Sequence, residues 1–273
     1  MPVQRSISTL GCPALSLGEA LALAARFKLD ALELRALSGT LDLPALFEKT
    51  LGPPEALAAE LRGGPVRIHS MDTSLVLSRA DEAGRRAFLR FLPWAEALGG
   101  LPLRVFDGAA GGPDGRAAAL DTLRWWNDTR AANGWRSNMV IETHDSLLTG
   151  AVILDFANAA PDGTRILWDA HHTWKKGGEP PAATWRALAG VGSHLHGKDS
   201  ASRADGRAAG HAYVLPGEGE FPMHELLAVL GGDGYAGAVT LEWERLWHPD
   251  LPPLETALES AARTKWWQGT RRA

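Results

Sequence analysis

The chain has 273 residues, 45% of them hydrophobic and 22% charged, with a formal net charge of −4. A chain of that length needs no disulfide framework to hold a core, and the single cysteine, Cys12, cannot form one within the chain. Mild acidity argues against a general nucleic-acid surface, no apolar run approaches the ~18 residues of a membrane span, and no signal-peptide core follows Met1 to Arg5; the expectation is a cytoplasmic enzyme.

Short β-rich runs alternate with amphipathic stretches. Residues 4–10 form the first strand candidate. Ser16-Leu17-Gly18-Glu19 then spells a capping box opening a helix that runs to Phe27, with Leu17, Ala20, Leu21 and Ala24 on one face. A second strand at 31–35 precedes a helix capped by Asp42 with Pro44 in its first turn. A third strand at 66–70 leads to a helix at 81–98, bent at Pro93. Strands at 103–106, 139–142, 165–169, 192–196 and 238–242 follow. They interleave with helices at 116–132, 147–159, 181–188, 223–230 and 254–267.

Eight strand–helix alternations without a break in composition predict an α/β protein, a (β/α)8 TIM barrel formed as one domain over residues 1–273. The competing architecture is a doubly wound open sheet. It is disfavoured because no Gly-x-Gly-x-x-Gly follows the first strand and Gly18 falls inside a helix. The basic tail of Arg263, Lys265, Arg271 and Arg272 reads as a solvated last helix.

In such a barrel the chemistry sits where strands meet the following loops. The fifth to eighth candidate strands end in Glu142, Asp169, His196 and Glu242. Singly, each has an ordinary use, as a salt-bridged carboxylate, a rim histidine or a loop cap. Three carboxylates converging with an imidazole repel one another without a cation, and one divalent ion removes that cost. The donor set suits Mn²⁺, Mg²⁺, Co²⁺ or Zn²⁺. His194 and His196 share a strand face, so alternation does not separate them; proximity to the strand end selects His196.

These residues sit within Leu32-Glu33-Leu34-Arg35, Ile141-Glu142-Thr143-His144, Asp169-Ala170-His171-His172, His194-Leu195-His196-Gly197-Lys198-Asp199, Pro216-Gly217-Glu218-Gly219-Glu220 and Thr240-Leu241-Glu242. Together, over nearly the whole chain, these segments resemble the xylose isomerase-like TIM-barrel superfamily, and within it the sugar (phosphate) isomerase/epimerase group. The resemblance implies one divalent ion, usually manganese, on Glu142, Asp169, His196 and Glu242. It also implies Glu142 and Glu242 as proton carriers, and His172, through the Asp-x-x-His spacing, as the substrate-facing histidine. The implied activity is a divalent-metal-dependent sugar isomerase or epimerase acting on an unphosphorylated sugar, keto-sugar or polyol derivative by proton transfer through a metal-stabilised enediolate. A dehydratase or lyase on a keto-sugar or keto-inositol is the alternative, arising if a leaving group lies β to the carbanion.

Further rim residues are assigned to substrate. His69 would hold a hydroxyl, Lys198 a developing oxyanion, Arg203 would reach in from the long loop after the seventh strand, and Trp243 would pack on a sugar C–H face, as Trp174 and Trp247 also could. His144 is expected to support the site rather than react, and Glu33 and Arg35 to form a strand-end ion pair. Phosphate has little support: no glycine follows Glu242, and Gly217 and Gly219 lie in an acidic loop. An endonuclease IV-like nuclease lacks ligands here, since the fourth strand ends in Asp107 and Lys198-Asp199-Ser200 follows the seventh. The partners expected are a small sugar substrate and a second copy of the chain, with no nucleic acid and no membrane; a sugar-binding barrel without catalysis is the remaining class.

Overall fold

The computed structural model describes residues 3–188, 190–202 and 210–268. Eight parallel strands close into a barrel: β1 (Gln4–Ser8), β2 (Ala31–Leu34), β3 (Arg67–Val76), β4 (Leu103–Phe106), β5 (Met139–Glu142), β6 (Arg165–Asp169), β7 (Gly192–Gly197) and, after an inserted antiparallel pair β8 (Ser200–Ser202) and β9 (His211–Tyr213), β10 (Ala238–Leu241). Each neighbour follows in chain order, and closure comes from β1 pairing with β10, Ser6 opposite Thr240. The expected TIM barrel is therefore the fold, with the β8–β9 hairpin as an addition that sequence periodicity did not show.

Side-chain alternation divides this barrel sharply. One face of the strands carries Ile7, Leu32, Leu34, Val105, Ile141, Ile166, Leu195 and Leu241, all buried in the layer shared with the helices. The other face carries Ser6, Ser8, Glu33, Arg104, Glu142, Asp169, His194, His196, Thr240 and Glu242, equally buried but polar. The interior of the barrel is thus a stack of hydrogen-bonding and charged groups, enclosed by an apolar sleeve.

The helices are α1 (Leu17–Arg26), α2 (Leu43–Thr50), α3 (Pro54–Glu60), α4 (Glu82–Leu89), α5 (Leu92–Ala97), α6 (Pro113–Asn133), α7 (Gly150–Ala159), α8 (Ala170–Lys175), α9 (Pro181–Leu188), α10 (Met223–Gly232) and α11 (Leu254–Arg263). The capping box at α1 forms as expected, the Ser16 backbone N–H donating to Glu19 and the Glu19 N–H to the Ser16 hydroxyl. Asp42 caps α2 through the Ala45 N–H. Among the boundaries that differ from the sequence reading are the following four. β1 stops at Ser8, whose hydroxyl accepts the Leu10 N–H and opens a single 3₁₀ turn. β3 continues to Val76, its pairing with β4 shifting register between Asp72 and Val76. Pro93 divides the third helix into α4 and α5, because its ring removes a helical donor and crowds the preceding turn. The last helix ends at Arg263 rather than at residue 267. No helix among the described residues is long and apolar enough to cross a membrane.

Candidate metal centre

Glu142, Asp169, His196 and Glu242 meet at the C-terminal mouth of the barrel, each offering one ligand atom within 4.8 Å of all the others. All four are buried. Their backbone positions follow from strand ends: Glu142 closes β5, Asp169 closes β6, His196 lies one residue before the end of β7 and Glu242 one residue past β10. The His196 Nδ1 lies 3.4 Å from Glu142 Oε1 and 3.4 Å from Glu242 Oε1. Among the described residues it makes no hydrogen bond of acceptable geometry, and neither does Glu142 Oε2 or Asp169 Oδ2.

The other ring nitrogen of His196 is fixed: Nε2 lies 2.6 Å from Glu33 Oε1, while Glu33 Oε2 lies 2.9 Å from His194 Nε2. A carboxylate behind the distal ring nitrogen turns Nδ1 toward the carboxylates, the arrangement by which proteins orient metal-binding histidines. Three buried oxygen donors with one imidazole nitrogen, several lacking aligned partners, fit a divalent cation. Glu142, Asp169, His196 and Glu242 would hold it.

The surrounding charges are arranged to keep Glu142 and Glu242 ionised. Burial pushes Glu242 up, but the Lys198 ammonium and His196 overcome it and hold it well below the usual carboxylate range. Lys198 contacts Glu242, lies 2.8 Å from Asp169 Oδ2, and reaches Glu244 Oε1 at 2.5 Å. Burial also opposes ionisation of Glu142, and Arg104, with Nε 3.3 Å from Glu142 Oε2, outweighs it. At Asp169 burial wins, pushing the carboxyl up to about 6 despite Lys198. Burial disfavours the His196 imidazolium, yet Glu33 and Glu242 raise its pKa well above the ordinary histidine value.

Two aspartates build the rim by accepting backbone N–H groups. Asp107, after β4, takes those of Asp145, Ser146 and Leu147 at 2.7–2.8 Å and so shapes the loop after Glu142. Asp199 takes those of Ser200, Gly217, Gly219 and Phe221. A Cβ on Gly219 would collide with that carboxylate, which is why the loop passes glycine there.

The remaining assigned residues fall in different places. His172 lies beside the centre, its Nδ1 3.3 Å from Asp169 Oδ2 and 3.2 Å from the Thr143 carbonyl oxygen. His69, expected to hold a substrate hydroxyl, lies on the layer below Glu242, its Nε2 2.9 Å from the Ser6 hydroxyl and 3.3 Å from that of Thr240, so barrel hydroxyls already occupy that nitrogen. The expectation for Trp243 is corrected: the ring is 1% exposed, with Nε1 donating to the Pro252 carbonyl, because the chain turns inward after β10 to cover Gly11 and meet α11. Trp247 is exposed, and Trp174 packs against His171 and Phe221. Arg203 lies outside the described residues. The expected Glu33–Arg35 ion pair does not form, because Glu33 serves the two histidines of β7. His144 bonds Asp145 at 2.7 Å and stacks edge-on to His172.

Sequence reasoning missed Asp72, Arg104, Tyr213 and Glu244. Arg104 Nη2 lies 3.4 Å from Asp72 Oδ2, behind Glu142, and the Tyr213 hydroxyl donates to Glu244 at 3.0 Å. A signal existed for Arg104: it is the one charge within the apolar run Leu103-Arg104-Val105-Phe106. Tyr213 and Glu244 had none, since they reach the site through the inserted hairpin and the loop after β10.

Solved structures of similar fold include the probable 3-DHS dehydratase AsbF from Bacillus anthracis, 18% identical with a TM-score of 0.74 over 96% of this chain and 99% of that one. The IOLI protein with a bound zinc atom is 16% identical, TM-score 0.73, over 96% of each chain. A xylose isomerase-like TIM barrel protein from Mycobacterium smegmatis in complex with magnesium is 14% identical, TM-score 0.66, over 98% of each. No curated protein sequence matches. The family model for the xylose isomerase-like TIM barrel matches residues 21–267, and the chain belongs to that family.

Proposed function

We propose that this chain is a divalent-metal-dependent isomerase or epimerase of an unphosphorylated sugar, keto-sugar or polyol derivative. The observation that carries this reading is the pair of buried carboxylates, Glu142 and Glu242, set at equal distance from the turned-in Nδ1 of His196. The neighbours that hold zinc and magnesium support a cation here without choosing one, and manganese is the metal the family resemblance favours. A divalent cation on the four ligands supplies Lewis-acid stabilisation to the adjacent oxygens of a hydroxy-ketone.

The chain's own residues supply the rest. Glu142 and Glu242 carry the proton, one removing it from the carbon beside the carbonyl and the other returning it. Return to the opposite face of the same carbon epimerises; return to the neighbouring carbon isomerises. Lys198 holds an ammonium against Glu242 and Asp169, placed to donate to a substrate oxygen as negative charge develops there. His172, kept neutral by burial and by Lys198, can accept or share a substrate hydroxyl proton. The same Lys198 favours a second reading, a dehydratase or lyase, in which its proton goes to a departing hydroxyl; the dehydratase among the structural neighbours supports it.

Solvent-deuterium exchange tests both. With Mn²⁺ present and a panel of unphosphorylated ketoses in D₂O, deuterium appears at carbon next to the carbonyl, without loss of water if the enzyme is an isomerase or epimerase. Glu142→Gln and Glu242→Gln each lower that exchange by about 10³-fold while the circular dichroism spectrum is kept. Exchange at the wild-type rate in either variant contradicts the assignment, and exchange accompanied by dehydration selects the lyase.

A further inference from the structure

Arg35 is the unusual cation of the site. It stands one residue past the end of β2, at the mouth of the barrel, and is 3% exposed. Its Nη1 donates to the Asp72 carbonyl oxygen at 3.3 Å and to the Ser74 hydroxyl at 3.0 Å, which anchor one end of the guanidinium. Phe106 lies beside it, the ring centroid 5.9 Å from Cζ, with Arg104 stacked closer on the same ring at 4.0 Å. The opposite edge, Nε and Nη2, makes no hydrogen bond among the described residues, and no carboxylate lies within 4.0 Å of the group there. Arg104 and Lys198 each have ion-pair partners; Arg35 has none among the described residues.

A buried guanidinium without a counter-ion is costly unless something completes it. Burial and the neighbouring Arg104 charge bring its pKa down only to about 10, so it remains charged at neutral pH. The nearby charges that favour it are Asp72, then Glu142 and Glu242, the last two ligands of the proposed cation. Loading that cation commits their charge elsewhere and leaves Arg35 still less compensated. An anion arriving with the substrate restores the balance.

We infer that Arg35 is a substrate-anion site, and that the substrate is a sugar acid or hydroxy-keto acid whose carboxylate sits on the Nε–Nη2 edge. This rests on the metal-dependent reading above and narrows its substrate class. The free edge is the two-donor fork that matches a carboxylate in bidentate fashion. A phosphate dianion calls for more donors than this edge offers, and the N–H groups of the glycine loop at Gly217 and Gly219 are already taken by Asp199.

Calorimetric titration of the Mn²⁺-loaded full chain with matched pairs tests this: D-glucuronate against D-glucose, D-galacturonate against D-galactose, with glucose 6-phosphate as the phosphate probe. At least one acid should bind about tenfold or more tightly than its neutral partner. In Arg35→Gln that preference disappears, the acid losing about tenfold more affinity than its neutral partner. If Arg35→Gln fails to fold, Arg35→Lys serves, keeping the charge but losing the fork, and the preference again falls about tenfold. The inference is overturned if no acid is preferred, if the preference survives loss of the fork, or if the phosphate probe outcompetes both acids. Mn²⁺ titration of the same sample separates the two readings. Bound Mn²⁺ with no acid preference removes only the role of Arg35. Absent Mn²⁺ binding removes the metal reading, and the acid preference is then judged in Arg35→Gln without metal.

Discussion

The two sides of this barrel are both lined with buried charge, and they use it differently. On β5, β6, β7 and β10 the charged side chains converge with atoms left unaligned to any protein donor, as at His196 Nδ1 and Glu142 Oε2. On β2, β3 and β4, Glu33, Asp72 and Arg104 stand behind those ligands and bond to them or to one another. One side is built to be completed by something from solution, while the other holds its neighbours in place. Polar burial therefore marks a binding centre only where the partners are missing. Arg35 Nε departs from its own side by this criterion, as Asp72 Oδ1 and Arg104 Nε also do, but Asp72 and Arg104 hold ion pairs while Arg35 has none among the described residues.

This contrast can be broken at its support. Replacing Glu33 by Gln leaves one oxygen for two ring N–H groups, so His194 or His196 loses its acceptor. Mn²⁺ affinity should fall about 10–100-fold with cooperative folding kept, as for other groups behind metal ligands. Unchanged affinity in titration calorimetry would mean that the two sides act independently.

Acid should sharpen the contrast on the ligand side. Asp169, pushed up to about 6 by burial, takes a proton as pH falls below that value, and His196, whose folded pKa is raised, holds one throughout the neutral range in the metal-free protein. Both protons compete with the ion. Mn²⁺ affinity should therefore weaken by between about tenfold and a hundredfold as pH falls from ~6.5 to ~5.5, with net proton release on binding at pH 7. An affinity that is flat with pH, or loading without proton release in buffers of different ionisation heat, contradicts the ligand set.

The smallest effect is expected beyond β1, which flanks the support side by pairing with β2. Cys12, just past β1, is buried and its thiol is pushed up to about 12 by burial, with the Glu255 charge adding. It should resist a thiol reagent in the native protein and react promptly once the chain is unfolded. Native labelling at the unfolded rate would show that this side is open.

The sequence made the ligand side legible because each ligand lies at, or within one residue of, the end of a short strand, where a polar residue follows an apolar one. Glu142, Asp169, His196 and Glu242 announce themselves in that way. The support side was misread at Glu33, since a glutamate two residues from an arginine on one strand suggests a local pair, while the real partners lie on β7, more than 160 residues away in sequence. Trp243 was misread for a related reason. It follows a ligand immediately, but strand alternation turns it away from the centre and into the packing against α11. The hairpin β8–β9 was invisible because its two strands have three residues each. Asp107 and Asp199 shape the loops by accepting backbone N–H groups, a role that no local pattern encodes.

The most direct measurement is a crystal structure of the chain soaked in Mn²⁺, with anomalous diffraction collected to place the ion. One ion should appear bonded at about 2.0–2.3 Å to oxygens of Glu142, Asp169 and Glu242 and to the Nδ1 of His196, with the Nε2 of that ring still on Glu33. An ion bound elsewhere, or none at those four side chains under saturating Mn²⁺, would contradict the account.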